Sequence, residues 1–200
     1  MNDIFAGFVK TKLEPRTLVI TCGLPASLKT GVAEEISKIK GYPILRSDTI
    51  RLEVLKDKDI FDQKVAGNIN NRLAVYEEMF RRANILAAGR NGVILDATFI
   101  TQTLRERAAE IASNNDLAFA IFETSCTQEI ALSRIRNRSR EKYESNALTQ
   151  EAYLANKDKF EPINIEAIKA KFPALKIVYL TINTCQYGRD NWTINKEEKR

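Results

Sequence analysis

Short β-branched apolar runs alternate with longer stretches of helical spacing along this chain, and that alternation limits its architecture more than any other feature. Residues 17–22 (TLVITC), 42–46, 93–95, 117–122 and 176–181 (KIVYLT) read as five short strands. Between them, residues 28–40, 48–55, 62–88, 101–113, 128–138 and 149–160 carry helical spacing. In 28–40, Val32, Ala33, Ile36 and Ile39 share one face and Gly41 stops the helix. The region 62–88 is interrupted near 67–70, and its Leu73, Tyr76, Phe80 and Leu86 are core candidates. Strands alternating with helices predict an α/β fold with a parallel sheet covered on both faces. Ligands of such a sheet sit beyond the carboxyl ends of its strands, so the residues that follow each strand are the candidates for function.

The chain has 200 residues, enough for one domain with a full core. That domain is expected over 17–182, with an N-terminal extension at 1–16 and a polar, partly disordered tail at 183–200. No apolar run approaches the roughly 18–20 residues that span a membrane, and residues 1–16 lack a secretory pattern. Cys22, Cys126 and Cys185 are scattered, make neither a disulfide framework nor a zinc spacing, and fit a reducing cytoplasm. Cys22 ends an apolar run and reads as a buried free thiol. Histidine is absent, which removes Ser-His-Asp and Cys-His nucleophiles and His-ligated zinc. Proton transfer falls to a carboxylate, Lys, Tyr, Cys or water. A net charge of +5 allows a phosphate-rich ligand or a nucleic acid and establishes neither.

The first strand runs into Gly23-Leu24-Pro25-Ala26-Ser27-Leu28-Lys29-Thr30 and then into a helix beginning with Gly31. This follows the phosphate-loop pattern G-x-x-x-x-G-K-[ST] everywhere except Leu28, which stands where the second glycine belongs. In such a loop the backbone N–H groups and the helix N-terminus bind phosphate oxygens. Lys29 would neutralise the β- and γ-phosphates, and the Thr30 hydroxyl would ligate Mg²⁺. A Cβ at Leu28 threatens the close approach of backbone to phosphate, and Gly31 is expected to make room for it. Losing one charge-assisted phosphate contact would cost about 1.5–3 kcal/mol.

Four further passages lie at suitable spacing: Arg46-Ser47-Asp48-Thr49-Ile50-Arg51, the run 93–99 (VILDATF), Arg134 with Arg138, and the run 145–147 (SNA) followed by a helix with Phe160-Glu161-Pro162. With the loop, they make residues 17–162 resemble the small P-loop kinases that include polynucleotide 5′-hydroxyl kinase, zeta toxins and chloramphenicol phosphotransferase. The resemblance implies a nucleoside-kinase-like P-loop fold with five parallel strands, a mobile lid at about 139–148, and ATP with Mg²⁺ as ligands. It implies that Asp48 accepts the proton of the acceptor hydroxyl, that Arg51 holds an anionic or polar part of the acceptor, and that Asp96 serves Mg²⁺ or faces the substrate. Thr98 and Arg105 match on the substrate side. Arg134 and Arg138 match the lid-entrance arginines, one stacking on the base and one reaching the phosphates. An acid often stands in the family where Asn146 stands here.

The residues also permit plainer roles. Asp48 can cap the following helix with Arg51 as its i+3 partner, Asp96 can cap a loop, and the arginines can favour a helix C-terminus. Three functions therefore stand open. The first is an ATP-dependent kinase acting on a hydroxyl of a small molecule or nucleotide. The second is a nucleotide-binding or regulatory protein weakened at Leu28. The third is a nucleic-acid 5′-hydroxyl kinase, which the charge allows, although no aromatic-basic interleaving supports it.

Overall fold

The structure, a computed structural model, describes residues 5–89, 91–137 and 148–200. Its centre is β1 (Thr17–Cys22), buried at every position. Strand β3 (Val93–Asp96) pairs with β1 on one side and β4 (Ala118–Ser125) on the other; β2 (Ile44–Arg46) lies beyond β3, and β5 (Ile177–Asn183) beyond β4. These five strands are parallel. A sixth, β6 (Thr193–Lys199), runs antiparallel along β5 and closes the order β2-β3-β1-β4-β5-β6.

Alternate residues of the buried strands feed two cores. One side gathers Leu18, Ile20, Leu95, Phe119 and Ile121 with Val75, Met79 and Phe80 of α5 (Ile69–Ala88) and Ala108 and Ala112 of α6 (Gln102–Asn114). The other gathers Val19, Ile94, Phe122 and Leu180 with α1 (Phe5–Thr11), α2 (Lys29–Lys40) and Trp192. The remaining helices are α3 (Ser47–Val54), α4 (Gln63–Gly67), α7 (Gln128–Arg136), α8 (Gln150–Asp158) and α9 (Ile165–Lys171). Reversal of strand order on either side of β1 opens a crevice at its carboxyl end, where a ligand of such a sheet binds.

The sheet thus has six strands rather than the expected five, and the tail is ordered. Its polarity has a physical reason: β6 (TINKEEK) is an edge strand, and its lysines and glutamates keep its open side from pairing with another chain. The N-terminal extension is likewise drawn into the domain, for Phe5, Phe8 and Val9 of α1 are buried. Leu73, expected in the core, is exposed. No described helix is long and apolar enough to cross a membrane.

Trp192 locks both additions in place. Its ring meets Phe5 at 5.9 Å between centroids and lies against Gly31, where an added Cβ would come within 2.9 Å of it. Gly31 therefore makes room for Trp192, not for Leu28. Trp192→Ala is expected to cost about 3–5 kcal/mol in urea unfolding, whereas a loosely attached tail would give a loss near zero.

Candidate functional site

The loop after β1 is held from several sides. Gly23 has φ 135°, and a Cβ there would stand 2.5 Å from the Thr124 carbonyl oxygen, so glycine is required. Its N–H donates to the Thr98 carbonyl at 3.2 Å. The Ser27 and Thr124 hydroxyls meet at 2.6 Å, and the Thr184 hydroxyl donates to the Ser27 carbonyl at 3.0 Å. Leu28 adopts φ 60°, ψ 30°, the left-handed turn that a glycine would supply. A leucine holds that turn at a cost of roughly 1–2 kcal/mol. Its side chain packs with the Trp192 core cluster. Beside the loop, Gly23, Leu24, Pro25, Glu123, Tyr153 and Phe160 border an open cleft.

Two helix starts face this point without a side-chain cap. Neither α2, entered through Leu28, nor α3, entered through Arg46, has one, whereas α4 to α9 are capped by Asp62, Asn68, Thr101, Thr127, Thr149 and Asn164. A bare first turn leaves N–H donors and a partial positive charge for an anion. Asp48 is not the cap expected of it. It sits inside the first turn of α3, after Arg46 and Ser47.

Asp96, at the end of β3, is buried and joins the elements. It accepts hydrogen bonds from the Thr21 hydroxyl at 2.8 Å and the Thr30 hydroxyl at 2.6 Å, and Arg46 lies 3.8 Å away. Lys29 Nζ donates to the Leu24 carbonyl at 2.8 Å, arching across the loop. Among the described residues no group of three His, Cys, Asp or Glu gathers to hold a metal. Thr30 and Asp96 place two hard oxygens side by side, a donor type that suits an ion such as Mg²⁺. Burial pushes the Asp48 carboxyl above its ordinary value; Arg51 opposes this, Asp96 adds to it, and Lys29 and Arg46 draw it back.

The other arginines divide. Arg51 reaches the site region with Nε and Nη1 buried and without hydrogen-bond partners. Arg105, expected on the substrate side, is fully buried and structural. Its five N–H donors go to the Phe99, Ile100, Glu161 and Pro162 carbonyls and to Gln102 Oε1. The Phe160-Glu161-Pro162 passage is thus the receiver of Arg105. Arg134, expected to stack on the base, is also committed to backbone. It donates to the carbonyls of Ala26 at 3.1 Å, Thr184 at 2.6 Å and Cys185 at 3.3 Å, with the Tyr187 ring 4.9 Å away. Its place is that of a brace on the phosphate loop. Thr98 is half-buried, and its side chain bonds the Tyr76 hydroxyl, which also accepts the Phe99 N–H at 3.0 Å. Arg138, Asn146 and the lid at 139–147 lie outside the described residues.

Thr21, Thr124 and Thr184 were not legible as site residues, because each looks like an ordinary strand-end threonine. Their one sequence signal is position, at or just past the carboxyl end of β1, β4 or β5.

The AAA domain family (AAA_33) matches residues 18–163, from β1 to the Arg105 receiver. The chain belongs to that family. Uncharacterised proteins of Mycobacterium bovis and Mycobacterium tuberculosis are 25% identical to this AAA domain over 124 residues, 59% of the chain and 25% of theirs. The chain thus spans about a quarter of the length of these curated relatives. A gluconokinase of Sinorhizobium meliloti superposes with a TM-score of 0.57 at 16% identity, over 86% of this chain and 84% of its own. A sugar kinase of Janibacter does so at 0.59 and 13%, over 84% and 86%. Chaetomium thermophilum Kti12, solved with ADP-AlF3, gives 0.52 and 17%, over 74% and 82%. This AAA domain therefore has the fold of the P-loop kinase-like proteins.

Two outcomes follow from the geometry. Arg105→Lys should lose about 3 kcal/mol of unfolding free energy or more, while leaving nucleotide affinity of the folded protein unchanged; a calorimetric change in affinity with intact stability would contradict the structural role. Asp48 has a raised folded pKa, so it contributes stability at low pH that is lost as pH rises from the ordinary carboxylate range through the folded value. Asp48→Asn should consequently raise the melting temperature more at pH 8 than at pH 4, and an equal rise at both would refute that burial cost.

Proposed function

We propose that this AAA domain is an ATP-dependent phosphotransferase that moves a γ-phosphoryl group to a hydroxyl of a small molecule or nucleotide. The observation that carries this reading is the meeting of Thr30 and Asp96 at 2.6 Å below an uncapped helix start, in a loop that keeps its left-handed turn at Leu28. The loop N–H groups and Lys29 hold the β- and γ-phosphates, with Lys29 exchanging the Leu24 carbonyl for phosphate oxygen. Thr30 and Asp96 hold Mg²⁺, which when bound neutralises charge on those phosphates. Asp48 orients the acceptor hydroxyl and takes its proton, a task favoured by its raised pKa. Arg51 and Thr98 are assigned to the acceptor side, and the phosphate role of Arg138 rests on the family resemblance alone. Likeness to a gluconokinase, a sugar kinase and Kti12 supports a nucleotide at the loop and a hydroxyl acceptor. The free thiols of Cys22, Cys126 and Cys185 support action in the reducing cytoplasm.

One observation favours a second reading, a nucleotide-binding protein without turnover: a leucine side chain, strained by a left-handed backbone, stands at Leu28 where the phosphate-loop pattern has glycine. Calorimetry with Mg·ATP separates the two. The natural protein is expected to bind on the order of micromolar, and Leu28→Gly to change that affinity less than about tenfold. Asp48→Asn should keep the binding and lower acceptor-dependent ATP turnover about a hundredfold or more. Binding seen only after Leu28→Gly would replace the kinase reading with the second one, and unchanged turnover in Asp48→Asn would remove Asp48 from the chemistry.

A further inference from the structure

Two half-buried thiols stand just past the ends of neighbouring strands. Cys126 directly follows β4, and Cys185 comes two residues after β5. Ser125 and Asn183 are partners in the parallel β4–β5 ladder, and the Thr184 N–H continues it with a bond of 2.8 Å to the Ser125 carbonyl. The two cysteines are therefore one residue out of step on paired chain segments. Strands about 4.8 Å apart with a rise of about 3.3 Å per residue put such Cα atoms roughly 6 Å from each other, within the span of a disulfide.

Arg134 adjoins both residues. After the carbonyls of Ala26, Thr184 and Cys185 have taken its Nη1 and Nη2 donors, Nε is left buried without a partner. A buried donor of that kind is unfavourable until an acceptor reaches it. Cys126 also precedes Thr127, the cap of α7, so the partial positive charge of that helix start lies beside its thiol. Burial pushes the Cys126 thiol up; Arg134 draws it down, Cys185 adds to the rise and Lys29 opposes it. Cys126 borders the open cleft beside the phosphate loop, which gives a small oxidant access. Cys22 is the contrast: it is fully buried, and burial pushes its thiol up to about 11.

We propose that Cys126 and Cys185 are a modification site for hydrogen peroxide, Cys126 reacting first and Cys185 resolving the product into a disulfide. The Cys126 thiolate attacks one peroxide oxygen. The S–O bond forms, the O–O bond breaks, and the departing hydroxide takes a proton and leaves as water. The oxygen now on the Cys126 sulfur supplies the acceptor that Arg134 Nε lacks. The Cys185 thiolate then attacks that sulfur, the S–S bond forms, and the S–O bond breaks with release of a second water. Two thiols and one hydrogen peroxide thus become one disulfide and two waters, with two electrons passing from sulfur to peroxide. The new bond joins the end of β4 to the segment whose carbonyls hold Arg134, so the brace that Arg134 places on Ala26 follows the oxidation state. In a reducing cytoplasm such a bond is transient, which suits a switch. The inference rests on the geometry of the loop and not on the kinase reading.

The test treats the reduced full chain with stoichiometric hydrogen peroxide. Each thiol is read by peptide mass spectrometry without reduction, and the loop by amide NMR. The expected product is an intramolecular Cys126–Cys185 disulfide with Cys22 still reduced. The Ala26 and Ser27 amides should shift with it and return on adding dithiothreitol. In Cys185→Ser the reaction should stop at a Cys126 sulfenic acid that dimedone traps. In Cys126→Ser the oxidation of Cys185 should slow about tenfold or more. Should the serine variant fail to fold, Cys126→Ala takes its place with the same expectation. Absence of the disulfide, bonds made to Cys22 or between molecules, Cys185 oxidised as fast without Cys126, or loop amides that do not move would each overturn the proposal. Failure of Mg·ATP to bind the reduced protein while the disulfide forms as expected would overturn the kinase reading and leave the thiol pair standing.

Discussion

The hydrogen bonds that Asp96 accepts from Thr21 and Thr30 tie together the ends of three elements. Thr21 belongs to β1, Thr30 to the first turn of α2, and Asp96 to the end of β3. A buried carboxylate without donors would be strongly unfavourable, so these contacts hold the start of α2 against the ends of two strands that the β1–β3 ladder already sets side by side. Everything proposed for the site depends on that arrangement. It sets where the loop N–H groups point, and where α3 delivers Asp48 and Arg51.

The loop is stiffened by a second set of contacts from the opposite side. Arg134 and Thr184 bind the carbonyls of Ala26 and Ser27, and Ser27 in turn bonds Thr124. Carbonyls held in this way fix the loop backbone at Ala26 and Ser27, whose own N–H donates to the Leu24 carbonyl at 3.3 Å. This also explains how Leu28 is tolerated. Its left-handed backbone is imposed by neighbours, and its side chain has an apolar cluster to enter. The strain is carried by the tertiary structure, as strained positions at functional sites commonly are.

Much of this was legible in the residues. The alternation of strands and helices gave the parallel sheet, and Gly23, Lys29, Thr30, Asp48, Arg51 and Asp96 fall where their motifs placed them, near one crevice. What escaped had identifiable causes. An edge strand made of charged residues looks like a solvated tail, so β6 was missed. Arginine type alone cannot distinguish a guanidinium that meets a ligand from one that gathers backbone carbonyls, and Arg105 and Arg134 are of the second kind. Gly31 was assigned to the wrong neighbour because its partner, Trp192, lies far away in sequence.

Trp192 and Thr184 have a consequence for how the domain comes into being. The loop motif is complete in the chain by Thr30, yet two of its supports come from residues 184–192, after every helix of the family match has been made. A growing polypeptide on the ribosome would therefore carry the phosphate-binding segment long before that segment could take its working shape. The loop takes its shape only once residues 184–192 have been made, and a fragment ending soon after α9 would retain the motif in its letters but not in its geometry.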